Sequence, residues 1–218
     1  MKVLVFAPHR DDEVLGVGGT IAKHVSMGDE VFVCEVTDVK ENNLLLAEIK
    51  EEEQSAHKLL GIKETLALEL PVVEMKNYSV YEKNRLFCEV ISKVDPEVVY
   101  IPHEGDMHTD HYETAQAAMV AVRPNGQNHV REVYAYETLS ETEWNTPSVK
   151  NAFIPNVWND ISSFFDRKVA AMKCYQSQLQ DFPHPRSIKA IESLAALRGS
   201  TIGCQHAEAF MLIRKIVR

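Results

Sequence analysis

Residues 3–13 of the chain read VLVFAPHRDDE, an apolar run followed by a histidine, an arginine and three acids. The apolar part predicts a buried strand, and the acids predict the start of a helix, where the helix dipole favours negative charge. An open α/β sheet places its chemistry at the carboxyl ends of its strands. A helix start explains the acids, but it explains neither His9 directly after the strand nor Arg10 in this loop. Taken alone, this stretch favours a functional site and a plain helix start about equally.

A second stretch of the same kind shifts the balance. Residues 108–111 read HTDH and follow the apolar run 98–101, VVYI, after a short interval. Asp110 and Glu113 resemble a capping pair that opens a helix. A cap accounts for the aspartate but not for the two histidines that flank it. The repeat of the pattern therefore favours a functional site at both strand ends.

Brought together at one sheet edge, the two stretches predict a three-ligand metal site formed by His9, Asp12 and His111. An open fourth position is typical of catalytic zinc, so we expect one Zn²⁺ per chain, although such ligands also suit Fe²⁺ or Co²⁺. Because adjacent side chains diverge, Asp11 stays free to act as general base on the attacking water. His108 is then the general acid that protonates a leaving amine and steadies an oxyanion, and Asp110 is a catalytic residue that orients its ring.

The order of strand and helix patterns predicts the fold. Strands are expected at residues 2–6, 31–36, 64–70, 98–101 and 130–137, and helices at 15–27, 44–60, 80–94 and 110–122. Gly61 is the expected left-handed cap of the second helix. Strands separated by single helices form right-handed parallel βαβ units. We therefore predict a Rossmann-like, layered α/β/α fold with a mostly parallel sheet, formed as a single domain by residues 1–218.

The regular alternation of predicted strands and helices ends after residue 137. Residues 139–156 are polar and contain two prolines, which favours a long functional loop, and residues 184–187, HPRS, form a rigid turn. We expect this loop and this turn to form the walls of a substrate pocket, although the turn could equally be an ordinary helix start. Helices are predicted at 161–178 and 188–198, and a strand or helix at 209–217. The residues expected to contact substrate are Arg10, Asp106, His184 and Arg186.

Two other features are assigned plain roles. Residues 16–20, GVGGT, invite comparison with a dinucleotide site, but the spacing is not G-x-G-x-x-G and the acids at 11–13 would repel a pyrophosphate. These glycines are better explained by close packing of the first helix on the sheet. Glu208 is expected to be a solvated carboxylate. The remaining histidines are expected to be structural or surface residues; they are His24, His57, His103, His129 and His206.

Composition excludes several classes of protein. The net charge is −9 over 218 residues, which argues against binding to nucleic acid or an anionic membrane surface. The four scattered cysteines predict reduced thiols of a cytoplasmic protein rather than a disulfide framework. The N-terminus shows no signal-peptide pattern, and no apolar stretch approaches the ~20 residues that span a bilayer.

With both clusters in view, the chain resembles the LmbE-like (PIG-L) family of zinc-dependent N-deacetylases. The resemblance covers nearly the whole length, and its motifs are APHRDDE at 7–13, GDMHTDH at 105–111, YET at 136–138, PHPRS at 183–187 and AEAF at 207–210. Most members have proline at the position of Arg10, and usually another at that of Thr109. The resemblance implies the same ligands, base and acid as the residues themselves.

The activity that the resemblance implies is removal of the acetyl group from an N-acetylated amino sugar or sugar conjugate. The expected partner is a small-molecule substrate, and a homo-oligomer is compatible with the family. Three other functions remain open at this stage: an amidase acting on a larger sugar conjugate, a non-catalytic metal-binding protein of the same fold, and a nucleotide-dependent oxidoreductase. Because a pure metal binder has no need of Asp11, the sequence favours the enzyme.

Overall fold

The computed structural model describes residues 1–38, 44–126 and 128–217, with no description of the side chains of residues 44 and 45. Its strands are β1 (Lys2–Ala7), β2 (Glu30–Asp38), β3 (Glu64–Pro71), β4 (Val98–Pro102), β5 (Glu132–Tyr136), β6 (Val157–Asp160) and β7 (Ala207–Lys215). Its helices are α1 (Asp12–Ser26), α2 (Leu44–Leu60), α3 (Val80–Val94), α4 (Thr109–Ala121), α5 (Phe165–Met172) and α6 (Ile188–Ile202).

The strands form one seven-stranded sheet in the order β3-β2-β1-β4-β5-β7-β6. The first five strands are parallel, with Val3 opposite Val31 of β2 on one side and opposite Val98 of β4 on the other. β7 runs antiparallel between β5 and β6. The predicted mostly parallel sheet is therefore confirmed, and β1 lies at the point where the strand order changes direction.

Alternate residues of β1 supply two separate cores. Val3 and Val5 pack against α1, α2, α5 and α6 on one face of the sheet, whereas Leu4 and Phe6 pack against α3 and α4 on the other. All four side chains are fully buried. A strand covered by helices on both faces must be apolar throughout, as the sequence of β1 is. The predicted three layers are present.

The glycines of α1 allow the helix to pack closely on its neighbours. A Cβ atom at Gly16 would lie 2.2 Å from the ring of Tyr136, and one at Gly19 would lie 2.6 Å from Ile161. No side chain larger than hydrogen fits at either position. The packing explanation of this glycine run is confirmed. The predicted left-handed cap at Gly61 is confirmed too, at φ +82°.

The chain beyond residue 137 differs most from prediction. Residues 139–156 contain no helix or strand, as expected, but β6 follows them and was not predicted, because its sequence VWND has no apolar alternation. The helix predicted over 161–178 is confined to Phe165–Met172, and the C-terminal segment is the strand β7. Within the described ranges, no helix has the length and apolarity needed to cross a membrane. The single domain over 1–218 stays a prediction.

Candidate metal centre and active site

The parallel pairing of β1 and β4 places the two histidine-containing stretches side by side. Because the two strands are adjacent and run in the same direction, the loops that follow them meet at the carboxyl edge of the sheet. The ring centroid of His9 lies 4.4 Å from that of His108 and 5.4 Å from that of His111. Residues about 100 positions apart in the sequence therefore share one site.

Asp12 lies between the two predicted histidine ligands. Its Oδ2 atom is 3.2 Å from Nδ1 of His9 and 3.1 Å from Nε2 of His111. Asp12 and His111 are fully buried, whereas the side chain of His9 is 21% exposed. Burial opposes ionisation of Asp12, but the neighbouring histidines, His111 above all, hold the pKa of its carboxyl well below its usual range. The three residues offer one ligand atom each, all within 4.8 Å of one another.

Two polar atoms of these residues form no hydrogen bond, although Nε2 of His111 lies at ion-pair distance from Asp12. Oδ1 of Asp12 and Nε2 of His111 are buried, and neither makes a hydrogen bond to any described residue. Four ligands 2.0–2.2 Å from a zinc ion are about 3.3–3.6 Å apart at the corners of a tetrahedron, close to the distances seen here. Two imidazole nitrogens and a carboxylate oxygen also form a suitable ligand set for zinc. The residues present therefore fit a divalent ion.

Each of the two histidines has a second carboxylate behind it. Nδ1 of His111 lies 2.8 Å from Oδ2 of Asp106, and Nε2 of His9 lies 3.3 Å from Oδ2 of Asp110. Such contacts fix the ring orientation and the tautomer of a ligating histidine. Asp106 is 5% exposed and also accepts a hydrogen bond from Thr142 (2.6 Å). Both of its oxygens are engaged behind His111, which indicates a supporting role, and its predicted contact with substrate stays a prediction.

His108 is oriented by a backbone group and not by the predicted carboxylate. Its Nδ1 accepts a hydrogen bond of 3.2 Å from the backbone N–H of Asp110, whereas Oδ2 of Asp110 is 3.8 Å away. That carboxylate instead accepts a hydrogen bond from the backbone N–H of Val73 (2.7 Å). Burial, followed by the nearby His9, lowers the pKa of His108 to about 4. The ring is therefore neutral near pH 7, with its proton on Nε2.

Asp11 is turned away from the ligands by its backbone. Its φ of 115° and ψ of −24° place it in the left-handed region, immediately before α1. Its Oδ2 accepts a hydrogen bond of 2.8 Å from Nη1 of Arg186, and its buried Oδ1 has no partner among the described residues. Burial raises the pKa of the Asp11 carboxyl well above its usual range, although Arg186 acts in the opposite direction. The result is a basic carboxylate next to the ligands.

The loop and the turn predicted as pocket walls both lie beside Asp11. Arg186, predicted as a substrate contact, also donates to Oγ of Ser140 (2.9 Å) in the long loop. His184 contacts the half-exposed ring of Trp144 edge-on, with the ring centroids 5.7 Å apart. The structure thus brings both predicted segments to this edge of the sheet, with the guanidinium of Arg186 committed to Asp11.

Arg10 lines a surface cavity together with His9, but its guanidinium is engaged with protein groups. It is 6% exposed, its Nε donates to Glu53 (2.8 Å) and its guanidinium lies 3.2 Å from Asp38. The side chain therefore ties the loop after β1 to α2 and to the end of β2. These bonds give Arg10 a structural role, and its predicted contact with substrate stays a prediction.

Two buried groups were missed from the sequence. Glu208 is 5% exposed and accepts hydrogen bonds from the backbone N–H groups of Gly19 and Thr20 and from Lys168, so the expectation of a solvated carboxylate is wrong. His57 is 5% exposed and lies among carboxylates. The only sequence signal for either residue was its position on the inner face of a predicted element.

Comparison with known proteins identifies relatives over the whole chain. The model of the PIG-L family, described as GlcNAc-PI de-N-acetylase, matches residues 4–122. A diacetylchitobiose deacetylase of Thermococcus kodakarensis is 26% identical over 97% of this chain and 83% of its own length. Among solved structures, the conserved protein TT1542 of Thermus thermophilus has a TM-score of 0.80 at 25% identity, covering 99% of this chain and 96% of its own. The N,N′-diacetylchitobiose deacetylase of Pyrococcus horikoshii has a TM-score of 0.77 at 26% identity, covering 98% and 84%.

These matches bear on the predictions made from the sequence. They confirm the family resemblance, the layered α/β fold and the enzyme class, a deacetylase. The family match ends at residue 122, so it includes both histidine-containing stretches. It does not include the long loop or the turn that carries Arg186.

Proposed function

This chain belongs to the PIG-L family, and we propose that it is a metal-dependent hydrolase that removes the acetyl group from an N-acetylated amino sugar or sugar conjugate. One observation carries the proposal. The ligand atoms of His9, Asp12 and His111 converge, and a basic carboxylate, Asp11, lies beside them without being one of them. A site that only stored a metal would have no use for Asp11.

A divalent ion would be held by Nδ1 of His9, a carboxylate oxygen of Asp12 and Nε2 of His111. Zinc is the first choice, and Fe²⁺ or Co²⁺ suit the same ligands. A divalent ion there supplies a Lewis acid, which polarises a carbonyl and makes water a stronger nucleophile near neutral pH. Asp110 and Asp106 hold the two histidines in the orientation that this binding requires.

Asp11 acts on the attacking water. As the water oxygen bonds to the amide carbonyl carbon, Oδ1 of Asp11, which has no partner among the described residues, takes a proton from it. Arg186 holds the other oxygen and so keeps the carboxylate in place. The protonated Asp11 then gives its proton to the amide nitrogen as the carbon–nitrogen bond breaks, which yields acetate and a free amino group.

His108 stabilises the oxyanion of the tetrahedral intermediate. Because its Nδ1 accepts a hydrogen bond from the backbone of Asp110, its neutral ring carries a proton on Nε2, which can be donated to the oxyanion. The geometry favours this half of the role predicted for His108 over direct protonation of the amine. A second proton on Nδ1 would face the backbone N–H of Asp110.

The sugar is proposed to lie between the long loop and the turn. Trp144 is 51% exposed and lies against His184, so the two rings offer an apolar face and a polar edge beside the metal centre. The acetamide then points toward Asp11, and the remainder of the sugar contacts the loop. An aglycone or a second sugar would extend from the open side of the site, so its length is not limited by these contacts.

Mass spectrometry of a panel of N-acetyl sugars, including N,N′-diacetylchitobiose, tests the proposal. We expect at least one member to lose an acetyl unit in the presence of zinc and wild-type protein, with acetate as the acyl product. Release of a longer acid would favour an amidase that acts on a larger conjugate. An unchanged panel, with wild-type protein and Asp11→Asn indistinguishable, would leave a non-catalytic metal-binding protein.

A further inference from the structure

A second histidine–carboxylate group lies inside the protein, directly behind the metal centre. It consists of Glu13, Glu35 and His57, which we call the buried cluster. Glu13 follows the ligand Asp12 in α1, Glu35 is on β2 and His57 is on α2. Their exposures are 0%, 1% and 5%, respectively. Two helices and one strand of the sheet thus direct ionisable groups toward one point.

His57 is oriented toward the two carboxylates. Its Nδ1 lies 2.7 Å from the hydroxyl of Thr65 on β3, which leaves Nε2 facing the cluster. That nitrogen lies 3.2 Å from Oε1 of Glu13 and 3.9 Å from Oε1 of Glu35. These distances lie close to the spacing of about 3.3–3.6 Å expected for ligand atoms on one tetrahedral ion. A ring nitrogen held by a hydroxyl on its far side is also typical of a ligating histidine.

The two carboxylates differ in their protein partners. Glu13 accepts hydrogen bonds from the hydroxyl of Tyr175 (2.7 Å) and from the backbone N–H of Asp11 (3.1 Å). Glu35 accepts none: both of its oxygens are buried without a partner within residues 1–38, 44–126 and 128–217. A buried, unpartnered carboxylate is costly, by several kcal/mol per ion, unless a ligand satisfies it. Its oxygens point into the cluster.

The neighbouring charges do not neutralise the cluster. Glu53, on α2, adds a third carboxylate, and its Oε1 lies 3.9 Å from Nδ1 of His57. The permanent cation nearby, Arg10, is already bonded to Glu53 and to Asp38. Burial, followed by repulsion from Glu13, raises the pKa of the Glu35 carboxyl well above its usual range. Three carboxylates therefore crowd around one histidine here, and Arg10 is bonded to only one of them, Glu53.

We propose that Glu13, Glu35 and His57 bind a second divalent cation, of the type that accepts mixed carboxylate and imidazole ligands, such as Zn²⁺ or Mn²⁺. The ion satisfies both oxygens of Glu35 and offsets the repulsion among the carboxylates of the buried cluster. It links α1, β2 and α2 immediately behind Asp11 and Asp12. Its role is structural, because the site is closed to solvent and holds no free base.

Counting bound metal tests this inference. Protein stripped with a chelator is equilibrated with Zn²⁺ alone, desalted and analysed for zinc per chain. We expect two ions for the wild type, one for His111→Ala, one for Glu35→Gln and none for the double variant. Glu52→Gln is the matched control and should keep two ions. Glu52 is on α2, like His57, but it bonds to Ser177 outside the cluster.

A second measurement covers the case in which Glu35→Gln does not fold. Anomalous diffraction at the zinc edge from wild-type crystals should show two peaks per chain, one of them between Glu13, Glu35 and His57. One ion per chain in the wild type, or two ions that both survive Glu35→Gln, would overturn the inference. The carboxylate of Glu35 would then be neutralised by a proton and not by a metal ion. None of these counts depends on deacetylation, so the inference and the proposed function can fail separately.

Discussion

The metal centre and the buried cluster are built from the same kinds of side chain, yet they differ in access and in free groups. At the metal centre His9 and His108 keep 21% and 28% of their side chains exposed, and a loop and a turn lie beside them. In the buried cluster no side chain exceeds 6%. The metal centre has an additional carboxylate, Asp11, with one oxygen unpartnered among the described residues, whereas the additional carboxylate beside the buried cluster, Glu53, is bonded to Arg10. The comparison teaches that histidine and carboxylate close together indicate a cation, while access to solvent and an additional base indicate chemistry.

Removal of a ligand from the metal centre is the most severe test of the distinction between a catalytic and a structural cation site. His111→Ala should lose the ion there and lower the deacetylation rate by about 10³–10⁵-fold, because a Lewis acid contributes several kcal/mol. Zinc content and turnover are measured on the same sample. His129→Ala, at an exposed histidine paired with Asp95, is the control and should change neither. If His111→Ala turned over substrate at the parental rate, the reaction would not take place at this centre.

The next largest effect separates the base from the ligands. Asp11→Asn preserves size but removes the basic lone pairs, so the rate should fall by about 10²–10⁴-fold while zinc content is retained. Asp12→Asn should behave differently, losing metal affinity first and recovering part of its activity in excess zinc. Zinc analysis and deacetylation assays of the two variants, side by side, distinguish these roles. Equal behaviour of the two would mean that Asp11 is a ligand.

A smaller effect is expected one step further from the ion. Asp106→Asn weakens the contact with Nδ1 of His111 and should lower metal affinity by about 10–100-fold. At saturating zinc the turnover number should return close to that of the parent. Zinc titration followed by activity gives both quantities. A turnover number that stays low at saturating zinc, with a raised KM, would restore the substrate contact expected from the sequence.

The smallest effect on activity is expected in the buried cluster. Tyr175→Phe removes the hydroxyl that donates to Glu13 and should lower the free energy of unfolding by about 1–3 kcal/mol, since a buried charge loses a partner. Turnover should change far less than in Asp11→Asn, because the hydroxyl of Tyr175 bonds to Glu13 and to neither the proposed ligands nor the side chain of Asp11. Denaturant unfolding and a deacetylation assay measure the two effects. Tyr112→Phe, at a half-exposed ring, is the control for loss of a hydroxyl.

Much of the site could be predicted because it depends on strand order. The parallel βαβ rule places the ends of β1 and β4 at one edge, and this alone brings His9 and Asp12 next to His111. The apolar runs and the glycine packing of α1 follow from local patterns in the same way. These features depend on residues whose surroundings are set by regular elements.

The partners of individual polar groups could not be predicted. The contact between Asp11 and Arg186 joins residues 175 positions apart through an irregular segment, which no periodicity describes. For the same reason the sequence did not show that Arg10 pairs with Glu53 and that Asp106 lies behind His111. His57 gave no signal, since a lone histidine on a helix is ordinary until the fold surrounds it with carboxylates.

The backbone of Asp11 has a consequence for how this protein can change. A residue other than glycine at φ 115° stores strain of about 1–3 kcal/mol, and here the strained residue is also the proposed base. Glycine at this position would relax the turn and remove the reaction together. The same change would leave the guanidinium of Arg186 without its carboxylate, so both turnover and this ion pair keep an aspartate at a strained position.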